Sequence, residues 1–169
     1  MSRQQKTLFI ISLLFIYLFT NVISAKTFSK YGVSLTFPGD YTKSGDIGNE
    51  SIKVKNVIAE TYSLQRDFDA FMITFLRFGE KPKGTLETGM KGAVNAVSGT
   101  LTGSRYLNIN GYAVLEYEYT SSKHGATLDY FDRVFYLEEY ILVNVKYIGT
   151  DDMYQDKGKM FLESLGIKP

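Results

Sequence analysis

The chain has no cysteine and no tryptophan, one histidine and three prolines. Without cysteine there is no disulfide, no thiolate nucleophile and no cysteine-held zinc, so an oxidising compartment would have to be survived on core packing alone. With His124 as the sole histidine, a histidine-rich metal site is impossible. An excess of charge is missing too: 19 Lys and Arg stand against 18 Asp and Glu, with no basic block anywhere. That removes the electrostatic footprint of a nucleic-acid binder and of a polybasic membrane patch. No G-x-S-x-G elbow, Walker loop, dinucleotide glycine pattern or calcium-loop order occurs. The stretch GTLTGS, Gly99 to Ser104, has glycines but neither the spacing nor the lysine of a phosphate loop. No metal or cofactor is expected.

The N-terminus is of another character. Arg3 and Lys6 precede an apolar run from Leu8 to Phe19, and small residues end at Ala25. This is the order of a secretory signal peptide, residues 1–25, and the run is shorter than the ~20 residues a membrane span needs. Cleavage after Ala25 predicts a secreted or periplasmic chain of 26–169, one domain in length. An uncleaved segment would instead tether the domain to a membrane. Removing Arg3 and Lys6 leaves 17 basic residues against 18 acidic ones. Asn49-Glu50-Ser51 is a glycosylation sequon that matters only in a eukaryotic secretory route.

Along 26–169 the pattern alternates between strand and helix signals. In YGVSLTF, Tyr31, Val33, Leu35 and Phe37 share one face, which predicts a half-buried strand stopped by Pro38-Gly39. Tyr41 to Glu50 reads as a loop, and SIKVKNVIAETYSL as one interrupted strand or two. Phe68 to Phe78 is apolar on both faces, as a central strand would be. Leu86, Met90, Ala93, Val94 and Val97 recur at helical spacing behind Thr85, a natural N-cap, with Gly99 as a stop. Tyr154, Gly158, Phe161 and Leu165 share a face of a C-terminal helix, capped by Thr150 or Asp151 and ended by Gly166; Gly158 would let it approach a sheet closely.

From Leu101 to Ile148 a four-strand meander is expected. Asn110-Gly111 is a two-residue hairpin signal; it sets Arg105 opposite Glu116. A tight His124-Gly125 turn pairs Lys123 with Ala126, Glu116 with Arg133, and Tyr119 with Tyr130. It also makes His124 a turn residue, solvated and a poor general base. A turn at Glu138-Glu139 then places Val134 opposite Val143 and Arg133 opposite Asn144. These registers put Glu116, Glu118, Arg105 and Arg133 on an outer face, as a solvated ion ladder. They put Asp132 on the aromatic face with Tyr117 and Val145. A buried carboxylate must be paired, hydrogen-bonded or protonated. Asp132, Tyr117, Tyr119 and Tyr130 are therefore the candidate pocket, with a packing role for the same four as the plainer alternative.

Three stretches carry a family resemblance: YGVSLTFPGDY at the start, INGYAVLEYEYTSSKHGATLDYFDRVFYLEEYILVNVKY through the hairpins, and DMYQDKGKMFLESLGI at the end. Together they resemble the PsbP-like and Mog-like superfamily over most of Phe28 to Pro169. Tyr41 departs from the tryptophan that many members carry there. The resemblance implies an α+β fold, an antiparallel sheet of about six to seven strands flanked by helices as an α/β/α sandwich. It implies a non-enzymatic accessory role with a protein partner, and no site residues carry over. The rival expectation is a small-molecule binder or weak hydrolase built around Asp132 and its tyrosines.

Overall fold

The computed structural model describes residues 25–47, 57–66, 69–123, 126–150 and 152–169. Residues 1–24 of the expected leader, the sequon at Asn49, His124 and Asp151 all lie outside them. Among the described residues, no helix is long and apolar enough to cross a membrane.

The described residues form ten strands and two helices in the order β1 (Lys26–Lys30), β2 (Val33–Phe37), β3 (Thr42–Ile47), β4 (Val57–Arg66), β5 (Asp69–Phe78), α1 (Leu86–Ala96), β6 (Thr100–Ile109), β7 (Tyr112–Lys123), β8 (Ala126–Glu138), β9 (Ile141–Gly149), α2 (Asp152–Glu163) and β10 (Gly166–Ile167). Seven strands form one antiparallel sheet in the order β3-β4-β5-β9-β8-β7-β6. A second sheet, β1-β2-β10, was not expected. It lies with α2 on one face of the large sheet, while α1 covers part of the other. The α+β class and the sandwich hold, with one outer layer a mixture of helix and small sheet.

Two cores follow from the strict alternation of β5. Phe71, Ile73 and Phe75 point toward the small sheet and α2, where Phe28, Leu35, Phe37, Phe131, Phe135, Val145, Tyr147 and Phe161 complete a large apolar layer. On the opposite face, Leu115, Tyr117, Tyr119, Tyr130 and Val134 pack under Met90 and Val94 of α1. Thr85 caps α1, its hydroxyl accepting from the Thr88 amide at 3.3 Å. The helix end is fastened to β7, where the Ser121 hydroxyl donates to the Val97 carbonyl at 2.6 Å. The expected close approach of Gly158 is present. A Cβ there would lie 2.3 Å from the ring of Tyr147, which donates its hydroxyl to Asp69 at 2.9 Å.

Several expectations need correction. Tyr31-Gly32 is a turn rather than the start of a strand, because β1 precedes it and pairs Lys30 with Val33. The loop expected at Tyr41 to Glu50 contains β3, a polar edge strand that pairs with β4 from Thr42↔Ser63 onward. Helix α2 ends at Glu163, and Gly166 opens β10 instead of stopping the helix.

The largest correction concerns β8 and β9. Every expected β6–β7 and β7–β8 pair is present, including Arg105↔Glu116, Glu116↔Arg133 and Tyr119↔Tyr130. The turn after β8, however, leaves Glu138 opposite Ile141, and an irregularity between Tyr136 and Glu138 shifts the ladder. Val134 therefore faces Asn144, and Arg133 faces Val145. One extra residue in a strand exchanges the faces of everything beyond it. Val143, Val145 and Tyr147 move into the large core, and Asn144 and Lys146 move to the face of Asp132.

Candidate functional site

The four residues singled out by sequence do come together. Asp132 sits opposite Tyr117 on β7 and opposite Lys146 on β9, and Tyr119 faces Tyr130 one row along. The rings form a ladder. Tyr117 and Tyr119 are stacked at 5.8 Å, and Tyr119 and Tyr130 at 4.5 Å with planes only 9° apart. The carboxylate is 0% exposed.

Val145 is not its neighbour, as the register shift requires. Instead Asp132 Oδ1 accepts from Asn144 Nδ2 at 2.8 Å and lies 3.4 Å from Lys146 Nζ. The same ammonium donates to the Tyr119 hydroxyl at 3.0 Å and stands 5.7 Å and 5.8 Å from the Tyr119 and Tyr130 ring centres. Lys146 and Asn144 were missed because they were assigned to the opposite face. Only the irregularity near Leu137 would have revealed them.

Charge is thus partly compensated at one oxygen. The other, Oδ2, is buried with no hydrogen-bond partner among the described residues. Burial pushes the Asp132 carboxyl up, against the opposing pull of Lys146 and Asn144. Burial, and then the nearby Asp132 charge, pushes the Tyr117 and Tyr119 hydroxyls well above their usual range, so both remain neutral donors. Chemically the cluster offers one unfilled acceptor beneath a lysine that reaches the surface. Surface clefts of about 210, 90, 350 and 280 Å³ occur among the described residues; Tyr117 borders the 350 Å³ one, and Asp132 lines none of them.

The expected ion pairs form on the face opposite the tyrosines, but that face is not left to solvent. Glu116 joins Arg105 and Arg133, at 2.6 Å each, on the face covered by α2. Arg133 is buried and donates to the Leu162 carbonyl, closing the C-terminal end of α2. Burial pushes the Glu116 carboxyl up, but Arg133 and Arg105 together hold it below its usual range. This triad joins a helix end to the sheet rather than forming a solvated ladder. Among the described residues there is no group of three or more acids or histidines placed to hold a metal ion.

No family model matches the sequence, and no curated protein matches it. Solved structures do match. The cyanobacterial PsbP (CyanoP) of Synechocystis superposes with a TM-score of 0.62 at 13% identity, over 89% of this chain and 96% of that one. The fold is PsbP-like. A Bacteroides thetaiotaomicron protein superposes with a TM-score of 0.50 at 11% identity, over 85% of this chain and 48% of that one. LpqN of Mycobacterium tuberculosis, a protein involved in cell envelope biogenesis, gives a TM-score of 0.47 at 12% identity, over 90% of this chain and 95% of that one. The PsbP-like layers explain why the candidate residues are central. Asp132 lies on β8, third from the β6 edge of the large sheet.

Proposed function

We propose that this chain is an exported, non-enzymatic accessory protein that acts by binding a protein partner. The observation that carries the reading is the PsbP-like fold, shared with CyanoP over nearly the whole of both chains. Export rests on the N-terminal order of basic, apolar and small residues. The test is affinity recovery of the tagged protein from the envelope and secreted fractions. A single partner recovered reproducibly and in fixed ratio supports the reading, and its loss in every fraction refutes it. Mass spectrometry of the correctly located protein should show a start near Lys26; a start at Met1 would support the tethered alternative.

A second reading, a small-molecule site around Asp132, is favoured by the unpartnered Oδ2. The Asp132→Asn variant separates the two. Lost ligand binding at unchanged stability supports the site, and altered stability at unchanged partner binding supports a structural role.

A further inference from the structure

The two hairpin turns at Tyr31-Gly32 and Asn110-Gly111 have the same backbone. Each joins antiparallel strands through two residues, Lys30↔Val33 in one and Ile109↔Tyr112 in the other. Each has positive φ at both positions: 52° and 78° in the first, 51° and 90° in the second. Asn-Gly is what such a turn prefers, since asparagine tolerates the left-handed region and bulky residues do not. The first turn puts tyrosine where the second has asparagine. Strain of this kind persists where something else holds the residue in place, and it concentrates at ligand sites.

The Tyr31 side chain shows what it is held for. It is 44% exposed, packs edge-on against Phe75 at 5.3 Å, and forms one wall of a cleft of about 210 Å³ beneath the hairpin tip. Ile58, Phe75 and Ile141 supply apolar lining, and Ile58 is itself 53% exposed. Arg77 stands in the same cleft. Its guanidinium donates to the Tyr31 hydroxyl, at 3.4 Å, and lies 5.8 Å from that ring. Glu60, the acid lining the cleft, is already neutralised: Lys30 pairs with it, Lys43 lies 3.3 Å away, and Tyr62 donates to it at 2.6 Å. The Tyr31 hydroxyl also donates to Glu60, at 3.3 Å, so Arg77 reaches that carboxylate only through the tyrosine; among the described residues no acid is ion-paired with the guanidinium.

We infer that this cleft binds a small organic anion with a short apolar body, its acid group on Arg77 and its body between Tyr31 and Ile58. A guanidinium presents a planar fork suited to carboxylate or phosphate oxygens. The volume falls below the roughly 300–1,000 Å³ of drug-sized sites, which limits the ligand to a ring or short chain. A cationic or purely polar ligand would leave the arginine or the apolar wall unused. This inference is independent of the partner reading, because the cleft needs no second protein.

The test uses the purified full chain and four probes in calorimetric or NMR titrations: benzoate, phenyl phosphate, inorganic phosphate and benzylamine. Saturable binding of benzoate or phenyl phosphate is expected, and the tighter of the two assigns a carboxylate or a phosphate ester. Arg77→Gln should weaken that binding at least tenfold. Tyr31→Asn should weaken it at least fivefold without lowering the denaturation midpoint, since asparagine suits the turn. Arg105→Gln, remote from the cleft, should bind as the wild type does. The inference is overturned by absence of saturation with both apolar anions, by benzylamine or inorganic phosphate binding as tightly as they do, or by an Arg77→Gln variant that binds normally.

Discussion

Replacing Gly158 by alanine should destabilise the protein, although alanine is the better helix former. On helix propensity alone the change would stabilise by ~1 kcal/mol. The structure opposes this. A Cβ at position 158 would lie 2.3 Å from Tyr147 Cδ1 and 2.6 Å from two more ring atoms. That ring cannot swing aside. Tyr147 is fully buried, packed against Phe71 at 5.2 Å and Phe131 at 5.9 Å, and anchored to Asp69. Overpacking of a filled core costs about 1–3 kcal/mol, and displacing the Tyr147–Asp69 hydrogen bond adds about 1 kcal/mol. The net expectation is a loss of ~1–3 kcal/mol, read as a lower urea midpoint at unchanged slope. Gly89 and Gly92 of α1 are internal controls, because a Cβ at either meets nothing within 4 Å. Alanine at those sites should stabilise by ~0.5–1 kcal/mol each. A Gly158→Ala variant as stable as the wild type would refute the close-packing argument, whatever the other two do.

Asp132→Asn should change how stability depends on pH. The folded carboxyl is raised above its ordinary 3.8 by burial, so its contribution is fully present below that value and drains as pH rises through the folded pKa. Denaturation at pH 4 and pH 7 should show the wild type losing ground to the asparagine variant as pH increases. Glu60 should behave in the opposite sense. Burial raises its carboxyl, but hydrogen bonds from Lys30 and Tyr62 outweigh that and hold it at about 2 rather than 4.5, so its stabilisation is present above 4.5 and lost toward 2. Glu60→Gln should remove about 1–2 kcal/mol of acid-labile stability, the figure being reduced for solvent around the lysines. Arg133→Met should cost about 3 kcal/mol by stranding the Leu162 carbonyl and leaving the mostly buried Glu116 only its exposed partner Arg105, whereas Arg105→Met should cost under ~1 kcal/mol, since its side chain is 69% exposed; equal losses in chemical denaturation would contradict the burial difference.

What could be read from sequence depended on whether a local signal marked each junction. Asn110-Gly111 announced one hairpin, and at the next a four-residue loop from Ser122 to Gly125 would have set the like charges of Glu118 and Asp129 opposite each other, so three strands were legible in full register. The shift near Leu137 carries no such mark: an apolar residue before Glu138 reads as ordinary strand. Missing it turned β9 over and hid Lys146 and Asn144 from the Asp132 site. β1 and β3 were missed because each is short and rich in polar residues, as edge strands often are. Tyr31 was absorbed into the alternation of the strand after it. The small sheet itself was beyond local reasoning, since β10 is two residues long and its partner β2 lies at the other end of the chain.

That last pairing has a consequence in time. Gly166 meets Ser34, and Ile167 meets Val33. The seam is closed further when the Lys168 amide donates to the Gly32 carbonyl at 2.9 Å and Asn110 Nδ2 donates to the Ile167 carbonyl at 2.7 Å. A ribosome delivers β1 and β2 more than a hundred residues before β10, the strand that completes their layer. The β6–β9 meander can assemble from neighbours in sequence, while the small sheet must wait for a closure spanning more than a hundred residues. Leu35 and Phe37 thus stay without their full cover until β10 has emerged.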